Sequence, residues 1–364
     1  MDFTFSDDQD QLRDAVRSFL AAEAPASYRS AMADELSGVT LGQWEKVASL
    51  GWPGMLVSAR HGGLGLGLVD MVVVLEEMGR VSYPGPFYSS SVAATLAARR
   101  LAVDELLPQL AAGTVRGTIA LEESGHGDPV ARVRTRARRK GAQWVVSGVK
   151  PLVLDGHTAD WALVAARTEE GLGTFLLESP AGEPVPTMDP TRKAACLDLH
   201  ERPVEPVGPP GDHTALWRRI VDDCAVMLCA ESVGAAEAAW HLGVEYAKQR
   251  VQFGRPIASF QAIKHKAVDM LQAVELARVG THYAAWASDV GDEMREHATA
   301  MCKGFVGEAA VFVSGQDIQI HGGVGFTWDC DAHWYYKRAK VNDLLCGYQG
   351  WQRERLADLL LADA

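Results

Sequence analysis

The chain has 364 residues, 48% of them hydrophobic and 23% charged, with a formal net charge of −12. That length supports two or three packed cores, and the acidic balance argues against nucleic acid or an anionic membrane as a partner. The six cysteines (Cys196, Cys224, Cys229, Cys302, Cys330, Cys346) show no CxxC pair and no His/Cys ligand spacing, so reduced thiols and no metal site are expected.

Helical signals open the chain. Ser6 with Gln9 forms a capping box, and Leu12, Val16, Phe19 and Leu20 follow at helical spacing. Trp44, Val47 and Leu50 mark a second helix. The glycine run Gly62 to Gly67 has no preceding strand and no GxGxxG spacing, so it reads as a helix-connecting loop before the apolar helix around Val72 to Met78. Neither a charged-then-apolar leader nor an apolar run of about 18 residues is seen, so a soluble, cytoplasmic protein is expected.

From about Val115 the pattern changes to short β-like runs: Thr118 to Leu121, Trp144 to Ser147, Trp161 to Ala166 and Thr174 to Leu177. The basic run Arg132, Arg134, Arg136, Arg138, Arg139 and Lys140 alternates at first as an exposed strand face does, and reads either as a solvated face or as a contact for an anion such as a CoA phosphate. The proline-rich stretch Pro184 to Pro210 reads as irregular strand and linker. Helix returns after Thr214, where Phe260, Ile263, Ala267, Met270, Leu271 and Val274 form one broad apolar stripe. The expected fold is α+β: an N-terminal helical domain (1–113), a small β-barrel or sandwich domain (114–212) and a C-terminal four-helix bundle (213–364).

Two segments carry the chemistry. Arg250 to Ile257 joins a helix end to a turn, and its arginine suits a bidentate pyrophosphate contact while Phe253 offers a ring. Gln319 followed by Gly322, Gly323 and Gly325 offers a side-chain amide and bare backbone amides for close approach to a ligand. Singly, each could be an ordinary solvated turn.

Together, and with Gly51-Trp52, Gly62-Gly63, Gly148-Val149-Lys150, Ala159-Asp160, the helix from Phe3 to Leu20 and above all Tyr246 to Met270, they resemble the acyl-CoA dehydrogenase family over almost the whole chain. The order helical domain, β domain, helical bundle agrees with that fold. The resemblance implies FAD as cofactor and α,β-dehydrogenation of an acyl-CoA thioester. It also implies that Arg250, Gln252, Phe253, Gln319, Gly322 and Gly323 touch the FAD of a neighbouring subunit.

The step needs a base aimed at a weakly acidic C–H. The family places a glutamate at one of two positions, which here correspond to Cys346 and, 26 residues before Arg250, to Cys224. A thiol of pKa about 8.5 is mostly protonated at neutral pH. Asp223, beside Cys224, points about 100° away on a helix, and Glu231 lies two turns on, roughly 10 Å along the axis. Asp223, Glu231 and Cys346 therefore stand as weak candidates, with no confident catalytic residue. The family's flavin-side segment corresponds to Glu122 to Asp128, where Glu122 and Asp128 replace hydroxyls. Leu152 and Leu154 replace the ring and the hydroxyl of the next segment. A carboxylate at the flavin edge would repel reduced, anionic flavin.

Three readings remain open on the sequence. One is the degenerate subunit of an α2β2 acyl-CoA dehydrogenase of actinobacterial type, acting with a homologous partner chain on a bulky acyl-CoA such as a steroid side chain. The second is a complete homotetramer with an unorthodox base. The third is a non-enzymatic binding or assembly member of the fold.

Overall fold

A computed structural model describes residues 5–362, so Phe3, the first residue of the N-terminal helical segment, lies outside the described residues. Four helices come first: α1 (Asp7–Glu23), α2 (Ala26–Asp34), α3 (Leu41–Ser49) and α4 (Leu68–Arg80). A π-helical segment, Phe87–Ala94, then leads into α5 (Thr95–Arg100) and α6 (Leu107–Ala112). Seven strands follow: β1 (Gly117–Ala120), β2 (Arg136–Lys140), β3 (Gln143–Leu154), β4 (Trp161–Thr168), β5 (Gly171–Glu178), β6 (Glu183–Val185) and β7 (Ala194–Val207). The remainder is α7 (Thr214–Gln249), the hairpin β8 (Val251–Gln252) and β9 (Arg255–Pro256), α8 (Gln261–Val290), α9 (Arg295–His321), α10 (Ala332–Leu344) and α11 (Gln349–Ala362).

These elements form two compact units. One comprises Met1–Ser27, Leu68–Tyr83 and Ala225–Ala364, the other Tyr28–Gly67 and Pro84–Cys224.

The second unit holds the sheet. Its order is β1-β4-β2-β3-β7-β5, with β5 returning to β4 and β6 added on β7, so the strands close into a small barrel. Ala120, Val146, Val153, Val164, Phe175, Leu177, Leu197 and Leu199 fill it. Within the stretch expected as irregular strand and linker, β7 is a fourteen-residue strand whose pairing with β3 shifts register twice. Its prolines are tolerated because the strand changes partner where they fall. Pro203 lies opposite Val145 of β3 and Pro206 opposite Phe175 of β5, so a missing N–H interrupts neither ladder for long. The basic run leads into β2 and presents one solvated face, with Val133, Thr135 and Ala137 buried and Arg134, Arg136 and Arg138 exposed. The Gly62-Gly63 turn is structural too, since a Cβ on Gly63 would overlap the Val57 carbonyl.

The first unit is helical. The capping box forms as the sequence dictates: the Ser6 hydroxyl accepts from the Gln9 amide at 3.2 Å while Gln9 Oε1 accepts from Ser6 N. Within this unit α4 crosses α7 at glycines. A Cβ on Gly79 would overlap the Glu231 carbonyl, and one on Gly234 the Glu76 carbonyl, so only glycine permits the approach. α9 packs against α8, α10 and α11, and Met270, Val274, Ala310, Val313, Ile320 and Ala339 form the core. No described helix is long and apolar enough to cross a membrane.

Candidate functional site

The Arg250 segment is a two-rung hairpin. α7 stops at Gln249, the Arg250 amide still donates to Tyr246 O at 2.8 Å, and Ile257 N donates back to Arg250 O at 2.8 Å. Between them Val251 pairs with Pro256 and Gln252 with Arg255. Gly254 turns the hairpin at φ +77°, and Phe253 itself sits at φ +55°, a left-handed conformation that costs an aromatic residue about 1–2 kcal/mol. That strain yields no packing for the Phe253 ring. Phe253 is 92% exposed, and its one ring neighbour is the edge of Phe260 at 6.0 Å.

Arg250, Gln252 and Gln319 are all exposed. Among the described residues the Arg250 guanidinium and the Gln319 amide make no hydrogen bond or ion pair, and Gln252 Nε2 reaches only its neighbour's carbonyl, Val251 O. After α9, Gly322 takes φ +65° and starts a short 3-10 turn, Gly322–Phe326. A Cβ on Gly322 or Gly323 would meet nothing within 4 Å. Gly323 needs neither a special φ nor clearance from its own chain. The two segments belong to one unit and share one core, where Ala247, Ile257, Ile263 and Ile320 meet. The sequence-derived set Arg250, Gln252, Phe253, Gln319, Gly322 and Gly323 is thus an exposed array of donors, one ring and bare backbone. Those groups fit the pyrophosphate and planar rings of a dinucleotide such as FAD.

The candidate bases lie in different surroundings. Asp223 is 1% exposed and held by two guanidiniums: Arg100 Nε and Nη2 donate to Oδ2 at 2.9 and 2.8 Å, and Arg219 Nε stands 3.3 Å from Oδ1. Glu231 is 3% exposed. Its Oε1 accepts from Arg338 Nη1, and its Oε2 accepts from Asn342 Nδ2 at 2.9 Å. Arg338 also donates to Tyr83 O at 3.2 Å, and Asn342 to Ser232 Oγ at 3.2 Å. Cys224 has no exposure, and its carbonyl accepts from the Tyr88 hydroxyl at 3.0 Å. Cys346 is half-buried at φ +58° between α10 and α11, where its carbonyl accepts from Gln352 Nε2 at 3.2 Å.

The flavin-side loop, Glu122 to Asp128, is tied to its own chain at every carboxylate. Arg132 Nη2 donates to Glu122 Oε2 at 3.0 Å, and the same guanidinium reaches the carbonyls of Glu123 and Gly125. Glu123 accepts from Lys150 Nζ at 2.7 Å, from Arg134 N at 2.7 Å and from Thr135 N at 3.0 Å. Asp128 accepts from Val130 N and Ala131 N and faces Arg218 at 3.3 Å. Burial lowers the Lys150 ammonium to about 8, against the pull of Glu123. Burial works to raise the Glu123 carboxyl, but the Lys150 charge and the Lys150 and Thr135 hydrogen bonds hold it below the usual range. The Glu122 charge is compensated by Arg132, ten residues away. Of the other basic residues in the run, Arg138 and Lys140 pair with Glu201, and Arg139 lies over Trp144.

Among the described residues no cluster of His, Cys, Asp and Glu could hold a metal ion. Sequence reading did not single out Arg338, Asn342, Arg132, Asp317, Tyr246 or His321 as members of these networks. Only the Asp317–His321 spacing, four residues apart on one helix, carried a local signal.

Residues 6–118 match the model of the acyl-CoA dehydrogenase N-terminal domain, and residues 218–361 that of the C-terminal domain. The chain belongs to the acyl-CoA dehydrogenase family. Acyl-CoA dehydrogenase IpdE2 of Mycobacterium tuberculosis is 33% identical to it over 338 residues, which cover 92% of this chain and 91% of that one. Among solved structures, a variant of the Tcur3481–Tcur3483 steroid ACAD superposes with a TM-score of 0.88 at 29% identity, covering 98% of both chains. The ChsE4–ChsE5 complex from Mycobacterium tuberculosis gives 0.88 at 26% identity, covering 99% of both. The expected fold, with N-terminal helices, a small β-barrel and C-terminal helices, is the one found.

Proposed function

We propose that this chain is the cofactor-reaching subunit of a heteromeric acyl-CoA dehydrogenase and works beside a homologous chain that supplies the catalytic base. The carrying observation is an asymmetry. The residues that reach outward (Arg250, Phe253, Gln319, Gly323) are exposed and unengaged, while every carboxylate of the chain's own flavin-side loop is tied to its own chain. The names of two relatives, the Tcur3481–Tcur3483 steroid ACAD and the ChsE4–ChsE5 complex, join two chains and agree with this reading. It extends to an α2β2 assembly acting on a bulky acyl-CoA such as a steroid side chain.

Bound FAD supplies the hydride acceptor for α,β-dehydrogenation of the thioester. This chain's part is binding. Arg250 donates a guanidinium fork to the pyrophosphate, the Gln319 amide and the Gly322 and Gly323 backbone approach the cofactor closely, and Phe253 covers a ring. The chain's own half-site does not fit a flavin: the Glu122–Arg132 pair and Leu152 offer the ring neither a hydroxyl nor an aromatic surface. On this reading Asp223 and Glu231 act as structural charges, since each is buried and compensated by guanidiniums of its own chain.

Flavin content tests the reading. The chain purified alone is expected to be colourless and inactive, and co-expression with a homologous acyl-CoA dehydrogenase chain that forms the complex is expected to give one FAD per two chains. A yellow chain, purified alone, whose flavin bleaches on adding an acyl-CoA would overturn it.

A further inference from the structure

Asp317 is the most completely buried carboxylate near the reaching segments, with no exposure at all. Burying a carboxylate costs several kcal/mol unless it is paired, and an apolar residue would pack more cheaply there. Its partner is His321, one turn along α9, whose Nδ1 lies 2.9 Å from Asp317 Oδ1 and 2.9 Å from the Asp317 backbone oxygen. Both neighbours only accept, so Nδ1 carries a proton and the orientation of the ring is fixed. Burial works against the charged imidazole, but the hydrogen bonds and charge of Asp317 together raise the His321 pKa.

The fixed ring has a face to offer. Tyr246 of α7 stacks on it with centroids 4.3 Å apart and planes 29° apart. Next to this stack α7 comes close to α9 because residue 243 is glycine, whose missing Cβ would lie 2.9 Å from Asp317 Oδ1. Tyr246 O accepts from Arg250 N, so the stacked tyrosine is one turn from the signature arginine. His321 is the last residue of α9, between Gln319 and Gly322. The stack is thus a cross-link between the two segments, one turn below the groups that reach outward.

We infer that Asp317, His321 and Tyr246 are positioning residues that set the spacing of Arg250 against Gln319 and Gly322–Gly323, and thereby the affinity for the FAD of the neighbouring subunit. The inference rests on the proposed function above. An imidazole–phenol stack can do this where an apolar contact cannot, because the hydrogen bond from His321 Nδ1 to the Asp317 backbone oxygen fixes rotation of the ring as well as its distance. Groups meant to bind bidentately lose most of their advantage when displaced by about 1 Å.

The test uses the two-chain complex, isolated through a tag on this chain from cells that also express the neighbouring homologous chain. FAD dissociation is read by the rise in flavin fluorescence on dilution, and chain stability by thermal melting of the FAD-free complex. Tyr246→Ala and His321→Ala are each expected to weaken FAD retention at least tenfold, and the double variant no more than the worse single one, because both break the same stack. Tyr246→Phe, which keeps the ring, is expected to retain FAD within about twofold of wild type. Tyr246→Leu, which keeps bulk without a flat face, is expected to behave like the alanine variant and stands in for it if that variant fails to fold. Arg250→Ala separates the two levels of the argument. Should it release FAD tenfold faster while the Tyr246 and His321 variants hold it as wild type does, the positioning role falls and the proposed function stands. Loss of FAD that follows only a lowered melting temperature, with Tyr246→Phe as defective as Tyr246→Leu, also overturns the positioning role. Undiminished FAD retention in Arg250→Ala overturns both.

Discussion

Removing the Arg338 guanidinium is the most informative perturbation of the helical unit. Arg338 is 1% exposed, and its Nη1 is the charged partner of Glu231 Oε1, while Oε2 accepts from the neutral Asn342 amide at 2.9 Å. Arg338→Met keeps much of the volume but leaves the buried carboxylate without this guanidinium. Breaking such a pair from one side costs about 3–5 kcal/mol. Glu231→Gln should cost somewhat less, because Arg338 still donates to Tyr83 O at 3.2 Å. The double variant Glu231→Leu/Arg338→Met removes both charges at once and should return to within about 1–2 kcal/mol of wild type, or exceed it, because neither desolvation cost remains. Urea unfolding followed by circular dichroism gives all three values. Unchanged stability in Arg338→Met would refute the structural assignment. So would a Glu231→Gln complex that unfolds like wild type but has lost turnover, since Glu231 would then be the base.

Two further outcomes follow from the geometry. Gly323→Ala should leave the stability of the purified chain unchanged, because its Cβ meets nothing within 4 Å, yet weaken FAD retention in the complex. Gly63→Ala should do the reverse, costing roughly 1–3 kcal/mol because the new methyl group overlaps the Val57 carbonyl. Equal effects of the two on melting temperature would contradict this account. Lys150 has a folded pKa of about 8 against about 10.4 unfolded, so from pH 8 to 10 the unfolded chain binds more protons and this group adds stability as pH rises. Glu123, held low, contributes above the ordinary carboxylate pKa and loses that contribution as pH falls through its depressed value. The stability difference between wild type and Lys150→Met should therefore grow from pH 8 to 10, and a flat difference over that range would count against it.

Much of the fold was legible from local rules. The Ser6–Gln9 capping box, the stripe along α8 and the short runs that became β1, β3, β4 and β5 each depend on residues a few positions apart, and each formed. The length of β7 was not legible because proline is a local veto on strand pairing, whereas its tolerance depends on which strand lies opposite each proline. The outward-reaching residues were legible for the same local reason. A helix stop at Arg250, a turn at Gly254 and bare glycines after Gln319 are properties of neighbouring residues.

What the sequence by itself determined, then, was the order of helices and strands, the family resemblance and the pair of segments that face outward. Only the tertiary structure decided what the carboxylates do. Glu231 meets Arg338 across 107 residues, and Asp223 meets Arg100 across 123. A buried charge takes its role from the group that compensates it. When that group arrives from a distant helix, no spacing rule along the chain can announce it.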